Sequence, residues 1–483
     1  MTSTAPSAPS PASPGAPDAV APAAGTAAHA AGGASAAAPA LRPGLLEPGR
    51  LWRNWSRAVV GHPAAIARPR DEDEVREVVR RAAELGLPVR VVGAGHSFTP
   101  CAETEGILVS LDHLAGLVAV DREARTATVR AGTRLHALFP LLDAHGLALP
   151  NQGDIDRQAI AGAVSTGTHG TGLGFTGLAG MVVGMRLVTA DGEVRELSAA
   201  SHPEELELAR LSLGALGVMT ELTLQCVDAF DLHAVERGAT FAEAVDGFLE
   251  RCEAVDHTEF YWFPHAEGAL IKENRRLHPG EETEAGRRSR LGRLVDDELL
   301  GNGIHRLACE VGRAVRPLVG PINRLSTELV SGREYRERSH EVFVSPRRTR
   351  FRETEYAVPL EAVPECVRAV RRLIEERRWR IEFPIEVRAA AADDVALSTA
   401  FERVSGYIAV HRFNSVRDSE YFREVERIMR AHAGRPHWGK LHSLGAEELA
   451  GEYRRMPEFL ALRDRLDPDR RFQNGYTRRV LGE

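Results

Sequence analysis

The stretch Val-Arg-Val-Val-Gly-Ala-Gly-His-Ser-Phe-Thr-Pro, residues 89–100, constrains the fold more than any other. An apolar run meets a turn built on Gly93 and Gly95, which is how a phosphate-cradling loop begins. A dinucleotide-binding Rossmann unit would add a third glycine, a helix, and an acidic residue about 20 positions on. Here the third position is Phe98, and Pro100 with its small polar neighbours breaks any helix. Asp112 falls near the expected distance, but without the helix no dipole faces a pyrophosphate. The stretch disfavours the Rossmann unit and favours a nest of backbone N–H groups. His96 lies inside that nest, either as a polar turn residue bonded to a neighbour or as a reactive one.

A second glycine-rich stretch, QAIAGAVSTGTHGTGLG at 158–174, carries Gly162, Gly167, Gly170, Gly172 and Gly174 among Ser165, Thr166, Thr168, His169 and Thr171. It reads either as a flexible surface loop or as another wall of the same cradle, with hydroxyl donors where backbone approaches a ligand.

The 483 residues imply two or more domains. Residues 1–44 are an Ala/Pro-rich tail without the basic and apolar regions of a signal peptide, and are expected to be disordered. Acidic residues, an apolar face and Gly86 predict a helix over 71–86, followed by a strand. Residues 134–146 read as a helix, and 181–197 as a hairpin turning on Ala190-Asp191-Gly192. Residues 52–228 are thus α+β. A boundary near 229 opens a second part with a strand and helix at 229–245. It continues through an aromatic strand at 260–265, a charged, helical or irregular stretch over 275–340, a helix at 366–379 and a strand at 380–389. No segment is apolar and long enough to span a membrane. The expected location is cytoplasmic, compatible with peripheral membrane contact. The net charge of -7 argues against nucleic-acid binding. Five scattered cysteines without a CxxC pair argue against a disulfide framework or structural zinc.

In RIEFPIEVRA (380–389), alternation places Ile381, Phe383, Ile385 and Val387 on one face and Glu382, Glu386 and Arg388 on the other. Pro384 suits an edge or a cavity wall. The polar face is either a solvated ion pair or a site. Of 61 basic residues only two are lysine, Lys272 and Lys440. A generic surface cation here is Arg, so each Lys is a candidate for a place that needs a compact ammonium. Lys272 remains unassigned. His437 and His442 lack the spacing and carboxylate neighbours of a metal pair, and no metal is expected.

Taken in order, VVGAGHSF, AGTRLHALFPLLDAHGLALPNQGDID, IAGAVSTGTHGTG, LVTADGEV, LGALGVMTELTLQCV, FYWFPH, EYAVP, RPHWGKLH and LDPDRRFQNGYT resemble the vanillyl-alcohol-oxidase-type flavoproteins. The likeness is greatest to the sugar-1,4-lactone oxidases acting on L-gulono- and D-arabinono-1,4-lactone, and it runs from about residue 52 to the C-terminus. The resemblance implies an α+β fold. A two-piece PCMH-type FAD-binding domain would cover 52–228. A substrate-capping domain with an antiparallel sheet would cover 229–483, its last segment returning to the FAD domain. It implies FAD held by Gly93, Ala94, Gly95, Ser97, Phe98, Gly153, Gly162, Ser165, Thr168, His169 and the backbone near Val218, and bonded covalently to His96. It places Glu386, Arg388, Lys440 and His442 around the substrate, and Ala131-Gly132 where oxygen access is controlled. The implied reaction is hydride transfer from a sugar lactone or polyol to flavin, with reoxidation by O2 to H2O2. Rivals are an alditol (xylitol or sorbitol) oxidase, a dehydrogenase with another acceptor, and a non-catalytic carbohydrate-binding flavoprotein.

Overall fold

Asp71 starts the first helix, Glu72–Leu85, by accepting a hydrogen bond from the Glu74 N–H, and Gly86 ends it in the left-handed conformation. Its Val75, Val78, Val79 and Ala82 are fully buried, as the periodicity predicts. The next strand, Val89–Val92, pairs in parallel with Ile107–Ser110, which continues to Ala65–Ala67 and Leu46–Pro48. Residues 93–106 between those strands contain no helix. These details come from a computed structural model, which describes residues 44–281, 283–288, 315–328, 332–345, 349–414 and 419–483. The expected tail, apart from Gly44, and much of the charged stretch over 275–340 lie outside the described residues.

A second, five-stranded sheet takes its strands from residues 117–225, in the order Val194–Ser198, Val182–Val188, Val218–Gln225, Thr126–Arg130, Leu117–Asp121. The predicted hairpin turns on Asp191, whose Oδ1 accepts from the Thr189 hydroxyl and the Glu193 N–H. From Asp231 onward the strands belong to one eight-stranded antiparallel sheet. Its order is Arg333–Arg338, Asp231–Thr240, Gly268–Arg276, His257–Trp262, Ile385–Ala390, Ser405–Phe413, Phe351–Pro359, Arg435–Pro436. Helices Phe241–Asp246, Phe248–Ala254, Val363–Glu376 and Ser419–Ala431 cover one face, packing Phe248, Val367, Val370 and Val425 onto Phe260, Ile385, Val387 and Ile408. Burying one such aliphatic side chain contributes about 1.5–3 kcal/mol, so this face is the main core of the second half. The opposite face is left for polar work.

Two expectations change. The second glycine stretch is half helix: Ile160–Thr166, closed by Gly167 at φ 81°. The strand predicted over 380–389 begins only at Ile385 and lies inside the sheet, paired on both sides. Pro384, without an N–H, therefore precedes the ladder and marks no edge. The alternation fails upstream of it. Phe383 joins Phe98, Phe351 and Phe413 in a separate aromatic cluster, while Ile381 stays with Ile385 and Val387.

The C-terminal segment packs against the first sheet. The Val89 N–H donates to Arg471 O, and Asn474 Nδ2 reaches the carbonyls of Pro100, Cys101 and Glu103.

Candidate active site

The loop after Val92 is tied down by its carbonyls. Gly95 O accepts from the Trp55 N–H at 2.7 Å, and Ser97 O from Asn54 Nδ2 at 2.9 Å. No acceptor among the described residues is found for the N–H groups of Ala94, Gly95, His96 and Ser97. They border a cavity of about 910 Å³, partly open to solvent, whose other walls include Ala131, Ala159, Gly162, Ser165 and Gly217. Gly95 has φ 65°, where only glycine is unstrained. A Cβ on Gly93 would lie 2.7 Å from that of Ala159, so the loop and the short helix touch through small residues. A Cβ on Gly162 would meet nothing within 4 Å and would project into the open space. Free amides on one wall and a missing side chain on the other suit an extended anionic group such as a dinucleotide.

His96 lines this cavity, with the Trp55 ring stacked on it at 5.2 Å. Burial, reinforced by Arg134, Lys440 and Arg157, lowers its pKa to about 4, so the ring is neutral near pH 7.

Not every residue expected at the cofactor lines this cavity. Phe98 lines neither this cavity nor the next: its N–H donates to Gly439 O at 2.7 Å, and its ring packs in the aromatic cluster. Val218 is fully buried in a strand, and its neighbours Gly217 and Met219 form the wall instead. Gly153, Thr168 and His169 line the second cavity.

That second cavity, about 560 Å³, shares Gln158 with the first and lies over the polar face of the large sheet. Cross-strand register builds its floor. Glu386 is opposite Ala409, and Ala409 is opposite Glu355; Arg388 is opposite Tyr407; His411 is opposite Glu353. Partners in register share a face, so two carboxylates flank the small side chain of Ala409. Arg388 bonds Glu386, donates to Glu259 at 2.8 Å and lies 3.5 Å from Asp154. Burial alone would lower its pKa; Glu386, Glu259 and Asp154 outweigh it and raise it well above the ordinary value. The guanidinium is a permanent cation fixed in orientation.

Lys440 lines the same cavity. Its Nζ bonds Glu353, lies 3.9 Å from Glu355, and stands 5.4 Å over the Phe98 ring. Burial opposes its charge, but Glu353 and Glu355 raise its pKa, so it remains an ammonium. Burial likewise opposes the charge of Glu355, yet His169 and Lys440 hold its pKa well below the usual carboxylate range. Glu353 and Glu355 are functional candidates that the sequence reading passed over. The signal was present in FRETEYAVP, where two Glu two apart share a strand face just as Glu386 and Arg388 do.

His169, Glu355 and His437 bring ligand-type atoms within 4.8 Å of one another. Their hydrogen bonds do not suit a metal. His437 Nδ1 accepts from the Gly439 N–H at 3.0 Å, and burial lowers its pKa to about 4. A neutral ring with that nitrogen accepting carries its proton on the other, which cannot then ligate. His169 donates from Nδ1 to Gly170 O at 2.9 Å and turns Nε2 toward Glu355 at 3.4 Å, its ring stacked on Tyr407. His442, expected at the substrate, lines neither cavity: its Nε2 faces the Tyr476 hydroxyl at 3.2 Å beside Trp438. Burial pushes its pKa down to about 3. Glu382 is also drawn elsewhere, to Arg412 at 3.1 Å and the Phe413 N–H.

Similarity to known proteins agrees with this division of labour. Residues 63–198 match the family model for an FAD binding domain, and residues 222–480 match that for D-arabinono-1,4-lactone oxidase. The L-gulono-1,4-lactone dehydrogenase of Mycobacterium tuberculosis is 43% identical over 89% of this chain and 99% of its own. The L-gulonolactone oxidase of Bos taurus is 31% identical over 90% and 98%. A Streptomyces alditol oxidase is 31% identical over 89% and 98%. Cholesterol oxidase from B. sterolicum shares the fold at a TM-score of 0.76 and 18% identity, covering 90% of this chain and 97% of its own. A glycine cradle with free amides adjoining a charged, sheet-floored cavity is thus the arrangement of an FAD-dependent oxidoreductase, and the chain belongs to the sugar-lactone oxidase family of PCMH-type flavoproteins.

Proposed function

We propose that this protein oxidises a sugar-1,4-lactone of the gulono or arabinono type at a ring carbon bearing a hydroxyl. The observation that carries the reading is that Glu386 and Arg388, from one strand, and Lys440, some fifty residues later, line one cavity sharing Gln158 with the glycine cradle. FAD supplies the two-electron acceptor when bound. The amides of Ala94 to Ser97 hold its diphosphate, Gly162 and Ser165 leave room beside it, and neutral His96 offers the nitrogen for a covalent tether. Arg388, held by three carboxylates, donates to substrate oxygens and fixes the ring. The Lys440 ammonium stabilises negative charge that develops as the substrate hydroxyl loses its proton. Glu386 keeps Arg388 in place, and Glu353 and Glu355 keep Lys440 charged. The wall at Ala131, which lines the cradle, is the place where oxygen access would be set.

The test is direct. Purified protein is given L-gulono-, L-galactono- and D-arabinono-1,4-lactone, xylitol and sorbitol, with H2O2 measured in air and dye reduction measured without oxygen. Lactone turnover is the expected result; turnover of alditols alone refutes the lactone reading. H2O2 formation separates an oxidase, as the bovine relative is named, from a dehydrogenase, as the mycobacterial one is. Acid precipitation tests the tether: flavin released into the supernatant refutes the bond to His96.

A further inference from the structure

Lys272 sits in the middle of a row of alternating charges. On the polar face of the large sheet, Arg333 is in register with Glu236, Glu236 with Lys272, and Lys272 with Glu259. Glu259 then accepts from Arg388. Reading across five strands toward the substrate cavity, the charges alternate: Arg333, Glu236, Lys272, Glu259, Arg388. Arg333 Nη2 lies 2.9 Å from Glu236, and Lys272 Nζ lies 3.9 Å from Glu236 and 3.7 Å from Glu259. The two carboxylates are largely buried, at 9% and 12% side-chain exposure, so solvent does little to screen the row. Lys272 does not line the substrate cavity. It borders a separate polar cavity of about 360 Å³ on the other side of Arg388, with Asp154, Glu259 and Gln152 in the same wall.

We infer that Lys272 is a positioning residue for substrate binding, acting through Glu259 on Arg388. The physical reason is charge sharing. Arg388 faces three carboxylates, and one of them, Glu259, also has Lys272 beside it. Lys272 draws part of the Glu259 charge to itself, so Glu259 steadies the guanidinium without pulling it out of the substrate cavity. A chain that writes nearly every other cation as Arg keeps Lys here because one compact ammonium must serve two carboxylates, one on each strand flanking its own. In Lys272→Met, Glu259 retains a full charge whose nearest cation is Arg388, and Arg388 shifts toward it and away from Glu386.

The inference rests on the lactone reading for its kinetic readout, so a second readout is independent of substrate. Sulfite adds to oxidised FAD, and its affinity reports the cations that border the flavin. Lys272→Met is expected to raise KM for the lactone about ten-fold, a size typical of coupled neighbours, with kcat changed much less. It also weakens sulfite binding while leaving FAD content intact. Lys272→Arg restores part of both. The double variant Lys272→Met/Glu259→Gln is no worse than Lys272→Met alone. Unchanged KM and sulfite affinity, with or without a lower Tm, overturn the inference, as do strictly additive effects in the double variant. If the wild type turns over no lactone or polyol, the proposed function fails alone, and the sulfite titration still decides the role of Lys272.

Discussion

The two adjoining cavities are built in opposite ways. The glycine cradle offers main chain: amides of Ala94 to Ser97, with Gly93 where a Cβ would meet that of Ala159. The second cavity, proposed for the substrate, is side chain: four carboxylates, an ammonium, a guanidinium and three imidazoles standing on or around one sheet. On the proposed function, backbone donors hold the constant part of the cofactor that every turnover needs. On the same reading, side chains hold the substrate, and relatives are named for different ones, a lactone and an alditol. A main-chain site is changed mainly by filling it. A charged site is changed by removing a single member, because each charge is paired with the next.

This contrast can be broken at three points. The largest effect is expected for Arg388→Ala, which leaves Glu386, Glu259 and Asp154 facing one another without their shared cation. Lactone kcat/KM should fall by about 10²–10³-fold, while FAD content stays near stoichiometric; loss of FAD with activity would mean the two cavities are not separable. Gly162→Leu aims at the other side. Its side chain enters space where a Cβ meets nothing within 4 Å, so the fold should survive, as judged by circular dichroism, while FAD binding weakens about ten-fold or more. Full FAD occupancy would show that the open space beside Gly162 is not the cofactor's. The smallest effect is expected for Glu353→Gln. Glu353 and Glu355 together raise the Lys440 pKa against burial. Removing one carboxylate lowers it, so the ammonium is lost at a lower pH than before. The alkaline limb of the kcat/KM profile should move toward neutrality, with a several-fold loss above that limb and little below it. An unmoved limb would separate Lys440 from the rate-controlling ionisation.

Much of the cradle was legible because its signals are local. A strand, two glycines and a proline in a dozen residues suffice to forbid the helix of a Rossmann unit, and residues 93–106 contain none. The short helix Ile160–Thr166 was hidden among glycines and hydroxyl residues of weak helix propensity. It forms because Ile160, Ala163 and Val164 are completely buried, a tertiary gain that propensity does not contain. The substrate side was legible only in part. Glu386-x-Arg388 and the rarity of lysine pointed to real members of the cavity lining or its charge network. His442 carried the same polar signal as Lys440 two residues away, yet it turns to Tyr476 behind the cavity wall. Glu382 looked equivalent to Glu386 until Pro384 delayed the start of the strand.

The sequence alone determined what depends on neighbouring residues: the capped first helix, the helix-free glycine turn, the amphipathic helices, and the choice of Lys over Arg at two positions. The tertiary structure decided which side chains meet. Glu236, Glu259, Lys272, Glu353, Glu386 and Arg388 are spread over about one hundred and fifty positions, and their placement on one face follows from the order and register of strands in one sheet. Register is fixed when each strand commits its apolar residues to the helix-covered face, because a one-residue slip would send every charge into that core. That choice is collective, so no single segment encodes it.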